Sequence, residues 1–460
     1  MTLTMTNRRD FIKKSAMGTA AVTIGGMKLS AMSYNSIQGA NDRVTVAVIG
    51  IGGQGGTHIR SFCGMKTSKN VRLKTLCDAD EKFFPDKVKI VQSMTGETPE
   101  TVWDMRRVLE DKEIDAVSLA VPNFWHALGT IWACQAGKHV YVEKPASYGV
   151  FEGRKMVEAA RKYNVRVQTG LQNRSIRGVQ EAMKFLHDGG IGDVFMAKGT
   201  CYKPRDSFGI AKDSEPPATL HYDYWLGPCQ WQPYNEKKVH YNWHWHWATG
   251  GGDTANQGPH QFDVARWGLN KNEHPYEIYS MGNIFGIKPE ECSQETPNTQ
   301  TSVFKYRDGK ILEFETRGRY TNGESSLDIR IGNMFYGTEG YLELDGGTWK
   351  AFRKRENKPF AGSGIESDRP SDPTFMAPPG GGSHYGNFID AIRSGKSEDL
   401  NCEILEGYMS AALPALANIS YRVGRRLYFD GTAEKFIKDK EADKLLTRNY
   451  REPYVVPKVV

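Results

Sequence analysis

The stretch "RVTVAVIGIGGQGGTH", residues 43–58, constrains the fold more than any other part of the chain. Arg43 to Ile49 alternates and then saturates with Val and Ile, the pattern of a parallel strand buried on both faces. Gly50-Ile51-Gly52-Gly53-Gln54-Gly55 follows and fits the spacing G-x-G-x-x-G. Gly50 permits the tight turn, and Gly52 lets the backbone approach a pyrophosphate. Gly55 lets the next helix sit close to the strand, with its N-terminal amides aimed at a phosphate. Gly53 and Gln54 complete the loop.

A second strand, Val71 to Cys77, ends in Asp78. A carboxylate there accepts hydrogen bonds from adenosine ribose hydroxyls and repels a 2′-phosphate, which favours NAD over NADP. Further strand and helix units follow. Ile114 to Val121 reads as a strand ending at Pro122-Asn123, with a helix from about Trp125 to Ala136 and a stop at Gly137. "KHVYVEKP" supplies the next strand, ending at Glu143-Lys144-Pro145. A helix from Phe151 to Tyr163 leads to a short strand, Val165 to Thr169. This alternation implies a doubly wound parallel sheet. Ligands bind such sheets beyond the carboxyl ends of the strands. Those ends carry the glycine loop, Asp78, Asn123, Glu143 with Lys144, and Gln172 with Asn173, all candidate cofactor contacts.

The segments "VIGIGGQGGTH", "AVPNFWHALGTIWACQAGKHVYVEKP" and "HWATGGGDTANQGPHQFDVARWGL" together resemble the Gfo/Idh/MocA family of glucose–fructose oxidoreductases and inositol dehydrogenases. "HYGNFIDAIRSGK" and "ALANISYRVGR" resemble that family's terminal helices. The resemblance implies an α/β protein. A Rossmann domain would be followed by an α/β domain with a large, mostly antiparallel open sheet. It also implies NAD or NADP, a sugar, glycoside or cyclitol substrate, and a homo-oligomer, dimer or tetramer, formed through the open sheet. We place the Rossmann domain at 41–168 and the substrate and oligomerisation domain at 169–460.

The resemblance assigns catalytic roles to Lys144 and His260. An ammonium beside the reacting hydroxyl stabilises a developing alkoxide, and imidazole can take the proton. Asn256 stands where many relatives carry an aspartate. An amide cannot exchange protons, so Asn256 is expected to orient substrate. Asp263, one turn on from His260, either holds the imidazole or caps and packs. Trp125 and His126 fall in the loop that the resemblance puts near the nicotinamide ribose, and His126 reads equally as a helix-start residue.

"TCYKPRDS" offers Tyr202 and Arg205 as contacts to a hydroxyl or an anion. "HYNWHWHW" would set His240, Asn242, His244 and His246 on one face if it were extended. It lacks acidic or cysteine partners at regular spacing, so no metal site is expected, and His246 is taken as a substrate contact in an aromatic wall. "TSVFKYRDGKILEFETRG" reads as a hairpin turning at Asp308-Gly309. Residues 357–387, rich in Gly, Pro and Ser, read as an excursion that could cover a neighbour's active site, with His384 at its end near a site.

The chain has 460 residues, seven cysteines without C-x-x-C pairs, and a net charge of +6 from scattered Lys and Arg. The cysteine pattern excludes a zinc ribbon, a thioredoxin site and a disulfide framework. The scatter of charge argues against nucleic acid as a partner. Arg8-Arg9-Asp10-Phe11-Ile12-Lys13, followed by a mild apolar run from Ala16 to Met27, resembles a twin-arginine signal covering 1–40. Periplasmic export follows from that reading, and no stretch is apolar enough to span a membrane.

An exported dinucleotide enzyme cannot replace or exchange its cofactor. It is therefore expected to hold NAD tightly and restore its redox state within each cycle. The expected function is an NAD-dependent oxidoreductase acting on a sugar, glycoside or cyclitol hydroxyl. The alternatives are an NAD-dependent glycoside hydrolase working by transient oxidation, elimination, hydration and re-reduction, and a non-catalytic sugar-binding protein with structural NAD.

Overall fold

A computed structural model describes residues 42–364 and 383–460. The paired arginines and the centre of the 357–387 excursion lie outside the described residues.

Six parallel strands form the first sheet: β1 Val44–Ile49, β2 Val71–Cys77, β3 Glu100–Val102, β4 Ala116–Leu119, β5 His139–Val142 and β6 Val167–Thr169. Their order is β3-β2-β1-β4-β5-β6, so the chain reverses direction across the sheet between β1 and β4. Val46 and Val48 enter one apolar cluster while Ala47 and Ile49 enter another, because both faces of β1 are covered. Full burial of each Val and Ile among them contributes roughly 1.5–3 kcal/mol. The helix His384–Ser394 supplies Tyr385, Phe388 and Ile389 to the cluster containing Val46, so a segment from the far end of the sequence packs with this sheet.

The second sheet holds β7 Val194–Cys201, β8 Glu277–Asn283, β9 Thr299–Lys305, β10 Ile311–Arg317, β11 Ile331–Gly337, β12 Gly340–Asp345, β13 Thr348–Arg353, β14 Ala361–Gly362, β15 Leu427–Asp430 and β16 Lys435–Phe436. Their order is β14-β13-β12-β11-β7-β10-β9-β8-β15-β16, and all pairs run antiparallel except β7 with β10. The β9–β10 hairpin turns at Asp308-Gly309, where Gly309 adopts φ +91°. Helices Gly258–Gly268 and Ile404–Val423 pack against each other; the first lies on β7 and β11, the second on β8. That placement brings the His260 segment between the two sheets.

The His/Trp run is not extended. Residues His240–Trp245 close into a 3-10 turn entered through His240 at φ +51°, a left-handed conformation that no strand can continue. Burial of Trp245 and stacking of His244 on Trp243, with ring centroids 3.6 Å apart, replace the single imidazole face that alternation would have made. All seven cysteines are free and buried.

Candidate active site

The glycine loop works as the spacing requires. A Cβ at Gly50 would lie 2.6 Å from the Ala120 carbonyl, and one at Gly55 would collide with the Gly50 carbonyl oxygen. The loop therefore packs tightly on β4 and opens the helix Gly55–Gly64, while Gly53 faces open space and is exposed together with Gln54. That is the cradle a pyrophosphate needs: bare backbone on the cleft side and a helix start behind it.

Gly50, Gly52, Gly53 and Gln54 line one end of a cleft of about 630 Å³, with Asp78 beside them. The Asp78 carboxylate accepts from the amides of Ile51 at 2.7 Å and Asp80 at 2.9 Å, so it is held in place by the loop it serves. Burial pushes its pKa up to about 6. Glu143, Lys144, Gln172, Asn256 and His260 line the other end, and Trp125 and His126 lie on the wall between. Residues brought from six separate segments thus share one cavity.

Lys144 donates to the backbone oxygen of Asn256 at 2.8 Å and to its side-chain oxygen at 3.2 Å. Asn256 also donates to Asp253 at 3.2 Å, which fixes the amide with its oxygen toward the lysine. Burial holds Lys144 below the ordinary amine range. Burial, and then the Lys144 cation, push His260 down to about 3, so its imidazole is neutral at neutral pH. The Nδ1 of His260 is buried and makes no hydrogen bond among the described residues. Asp263 does not hold that ring. It forms a two-pronged pair with Arg174, at 2.8 to 3.1 Å, and accepts from Ser410 at 2.8 Å.

Beneath Lys144, burial works against the charge of Glu143. A bond from His58 at 3.0 Å and the neighbouring cations prevail and hold its pKa near 2. His58 in turn meets Ser118 at 2.7 Å. No motif points to His58; its signal is a lone polar side chain on the buried face of helix Gly55–Gly64. His240 and His244 of the alternating run line the cleft, and so do Lys203 and Gln257, joined at 2.6 Å, with the rings of Tyr241 and Trp243, for which the motifs gave no signal.

Other expected contacts lie elsewhere. Tyr202 donates to Glu315 at 3.0 Å and Glu324 at 2.7 Å under the Arg317 guanidinium, away from the cleft lining. Its strand-end position points it across the large sheet. Arg205 pairs with both oxygens of Asp253, at 2.7 and 2.8 Å, behind the turn carrying Asn256, so it braces the site without lining it. His246 is buried against the Lys237 carbonyl and Glu295, because the 3-10 turn rotates it away. Asn123 faces a void of about 30 Å³ behind the cleft, and Asn173 faces an adjoining chamber. The His126 ring sits between the carbonyls of Pro145, at 2.6 Å, and Val121, at 2.9 Å, stapling its helix to the Lys144 turn. His384 lies between Ser175 and the Thr169 carbonyl, outside the cleft.

A strap at residues 219–221 packs on the loop that follows β2 and Asp78. The amide of Glu81 donates to Thr219 at 2.9 Å, that of His221 to Ala79 at 2.9 Å, and Thr219 to Asp80 at 2.8 Å. The His221 ring stacks on Trp103 with centroids 4.1 Å apart, and Lys82 meets His240 at 2.9 Å. These contacts join the loop after β2 to the segment that carries Tyr241, Trp243 and His244.

Comparison with known proteins accords with this geometry. The chain is 27% identical over 170 residues to a glycosyl hydrolase family 109 protein of Shewanella pealeana, a stretch that is 34% of this chain and 37% of that protein. The chain thus matches little more than a third of the length of these relatives. It is 24% identical over 303 residues, 66% of this chain and 74% of the relative, to the uncharacterized oxidoreductase YrbE of Bacillus subtilis. Among solved structures, the aldose-aldose oxidoreductase of Caulobacter crescentus superposes with a TM-score of 0.61 at 17% identity, covering 84% of this chain and 100% of that one. A levoglucosan dehydrogenase in complex with NADH and levoglucosan gives 0.61 at 17% identity, covering 84% and 98%. These likenesses are likenesses of fold. Residues 44–171 match the oxidoreductase family's NAD-binding Rossmann domain, and residues 207–314 and 363–456 match its C-terminal alpha/beta domain. The chain is therefore a member of the Gfo/Idh/MocA family of NAD-dependent oxidoreductases.

Proposed function

We propose that the protein oxidises a hydroxyl of a sugar, glycoside or cyclitol and recycles an NAD that it does not release between turnovers. The observation that carries this reading is the shared cleft: the glycine cradle at one end, Lys144 and His260 at the other. NAD bound there supplies a hydride acceptor that can also return what it takes. The cradle and Asp78 would hold its pyrophosphate and ribose.

The protein's own residues supply the proton chemistry. His260, neutral above about pH 3, accepts a hydrogen bond from the substrate hydroxyl and takes its proton. Asp263 and Glu143 stabilise the imidazolium that results. Lys144, held by Asn256, opposes the negative charge growing on the oxygen, an effect worth about 3–4 kcal/mol where water is excluded. Tyr241, Trp243 and His244 offer faces for a sugar ring. The contacts that tie Thr219 and His221 to the loop after β2 and to Trp103, which lines the cleft, support cofactor retention.

The similarity to glycosyl hydrolase family 109 proteins supports a second reading, hydrolysis of a glycoside through transient oxidation. It needs one more group, to take a proton from the carbon beside the transient ketone. Of the groups able to do so, His240, Tyr241 and His244 line the cleft and Tyr202 does not. The paired arginines Arg8 and Arg9 support export of the folded, loaded enzyme to the periplasm. The open sheet, with Tyr279, Met281 and Val303 exposed on neighbouring strands, suits a homo-oligomer.

The test is to incubate the protein as purified, with no added NAD, with simple sugars and with aryl glycosides. A single, stoichiometric rise in reduced cofactor that stalls without an acceptor supports the oxidoreductase. Repeated release of the aryl alcohol supports the hydrolase. Neither signal, with dinucleotide present, would refute both.

A further inference from the structure

A second cavity of about 320 Å³ adjoins the cleft, and Gln172, Gln257 and His260 line both. The imidazole of His260 thus stands where the two chambers meet. The second chamber lies between helix Gly258–Gly268 and the ends of β11 and β12. Its volume reaches the lower range of ligand pockets, and it could hold about ten waters, far more than a proton path requires.

Five carboxamides line it, Gln172, Asn173, Gln257, Gln261 and Asn333, beside aliphatic side chains from the helices and strands. Asn173 makes no side-chain hydrogen bond among the described residues. Gln261 accepts from Gln257 at 3.3 Å, and its own amide protons are unengaged among the described residues. Asn333 spends its donors on the Gln261 and Lys198 carbonyls, at 2.9 and 3.5 Å, and keeps its oxygen. Among the described residues no Lys or Arg lines the chamber, and its one carboxylate is Asp345. Uncommitted amides facing a cavity recognise groups that both donate and accept, which is the chemistry of hydroxyls. The lack of a cation, with Asp345 present, disfavours a phosphate or a uronate.

We infer that this chamber binds an uncharged second sugar unit, joined to the ring whose hydroxyl meets Lys144 and His260. The substrate class narrows from sugars in general to neutral disaccharides or longer glycosides. This rests on the oxidoreductase reading and deepens it.

Matched probes test it: glucose against cellobiose and maltose, galactose against lactose, and N-acetylglucosamine against its β-1,4 dimer. Each is titrated calorimetrically into the NAD-loaded protein and scored for reduction of bound cofactor. At least one dimer should bind tenfold or more tightly than its monomer. Ile331→Trp, which fills the chamber from the β11 end, should erase that advantage while leaving monomer affinity within twofold. Circular dichroism and retained NAD establish that the variant is folded. Cofactor reduction by monomers with no dimer advantage, or an advantage that survives Ile331→Trp, would overturn the chamber while sparing the oxidoreductase. A panel in which nothing binds and nothing reduces the cofactor would overturn both.

Discussion

The two ends of the cleft are built in opposite ways. The cofactor end comes from one continuous run, β1 through β2, whose roles are fixed by local geometry: a turn, a helix start, a carboxylate at a strand end. The reacting end is assembled from β5, the segment after β6, the turn at Asn256 and the helix carrying His260, which are brought together only by packing of two sheets. Local construction tolerates little substitution but needs little support. Long-range construction depends on braces such as Arg205–Asp253 and Arg174–Asp263, which do not line the cleft.

Four predictions sharpen or break that contrast. The largest effect belongs to Lys144→Met. It should lower sugar-dependent cofactor reduction roughly 10³-fold while NAD stays bound, because the cradle is independent of the lysine. Loss of NAD in this variant would show that the two ends are not separable. Arg205→Ala should cost about 3 kcal/mol in a urea melt by leaving Asp253 buried without its partner, and should raise the sugar KM. An unchanged melt would mean the brace is idle.

The third prediction concerns pH. Glu143 titrates near 2 in the folded protein, below its unfolded value. It therefore stabilises the fold above about pH 4.5, and that contribution fades as pH falls from about 4.5 toward 2. His58→Ala should flatten this acid limb of the melting temperature, since His58 is the main group holding Glu143 down. For catalysis, His260 gives no limb above pH 4, and the basic limb should lie below the ordinary lysine range and vanish in Lys144→Met. The smallest effect is expected for Tyr202→Phe. It removes bonds to Glu315 and Glu324 on the large sheet and should leave sugar KM within twofold.

The same contrast explains what the sequence disclosed. The strand β1, the Gly50–Gly55 loop and the β9–β10 hairpin follow from spacing and side-chain type within a few residues, and each is present. The helix Phe84–Thr95 has legible punctuation, Pro85 in its first turn and Gly96 at φ +73° after its last, yet it lies in a stretch between Asp78 and Ile114 that no motif illuminated. Sequence reading placed Tyr202 and His246 by proximity to aromatic or polar runs. Their directions are set by a strand end and by a turn that begins with His240 in a left-handed conformation. His58, Lys203 and the strap at Thr219 and His221 depend on partners some 50 to 140 residues away, and no local pattern announces such pairs.

The most direct measurement mixes the purified, dinucleotide-containing protein with the sugar panel in the absence of any acceptor and records reduced cofactor by absorbance. The result expected is one equivalent per site with at least one neutral glycoside in the wild type, and reduction roughly 10³-fold slower in Lys144→Met. Reduction that persists undiminished in Lys144→Met would contradict the roles assigned here.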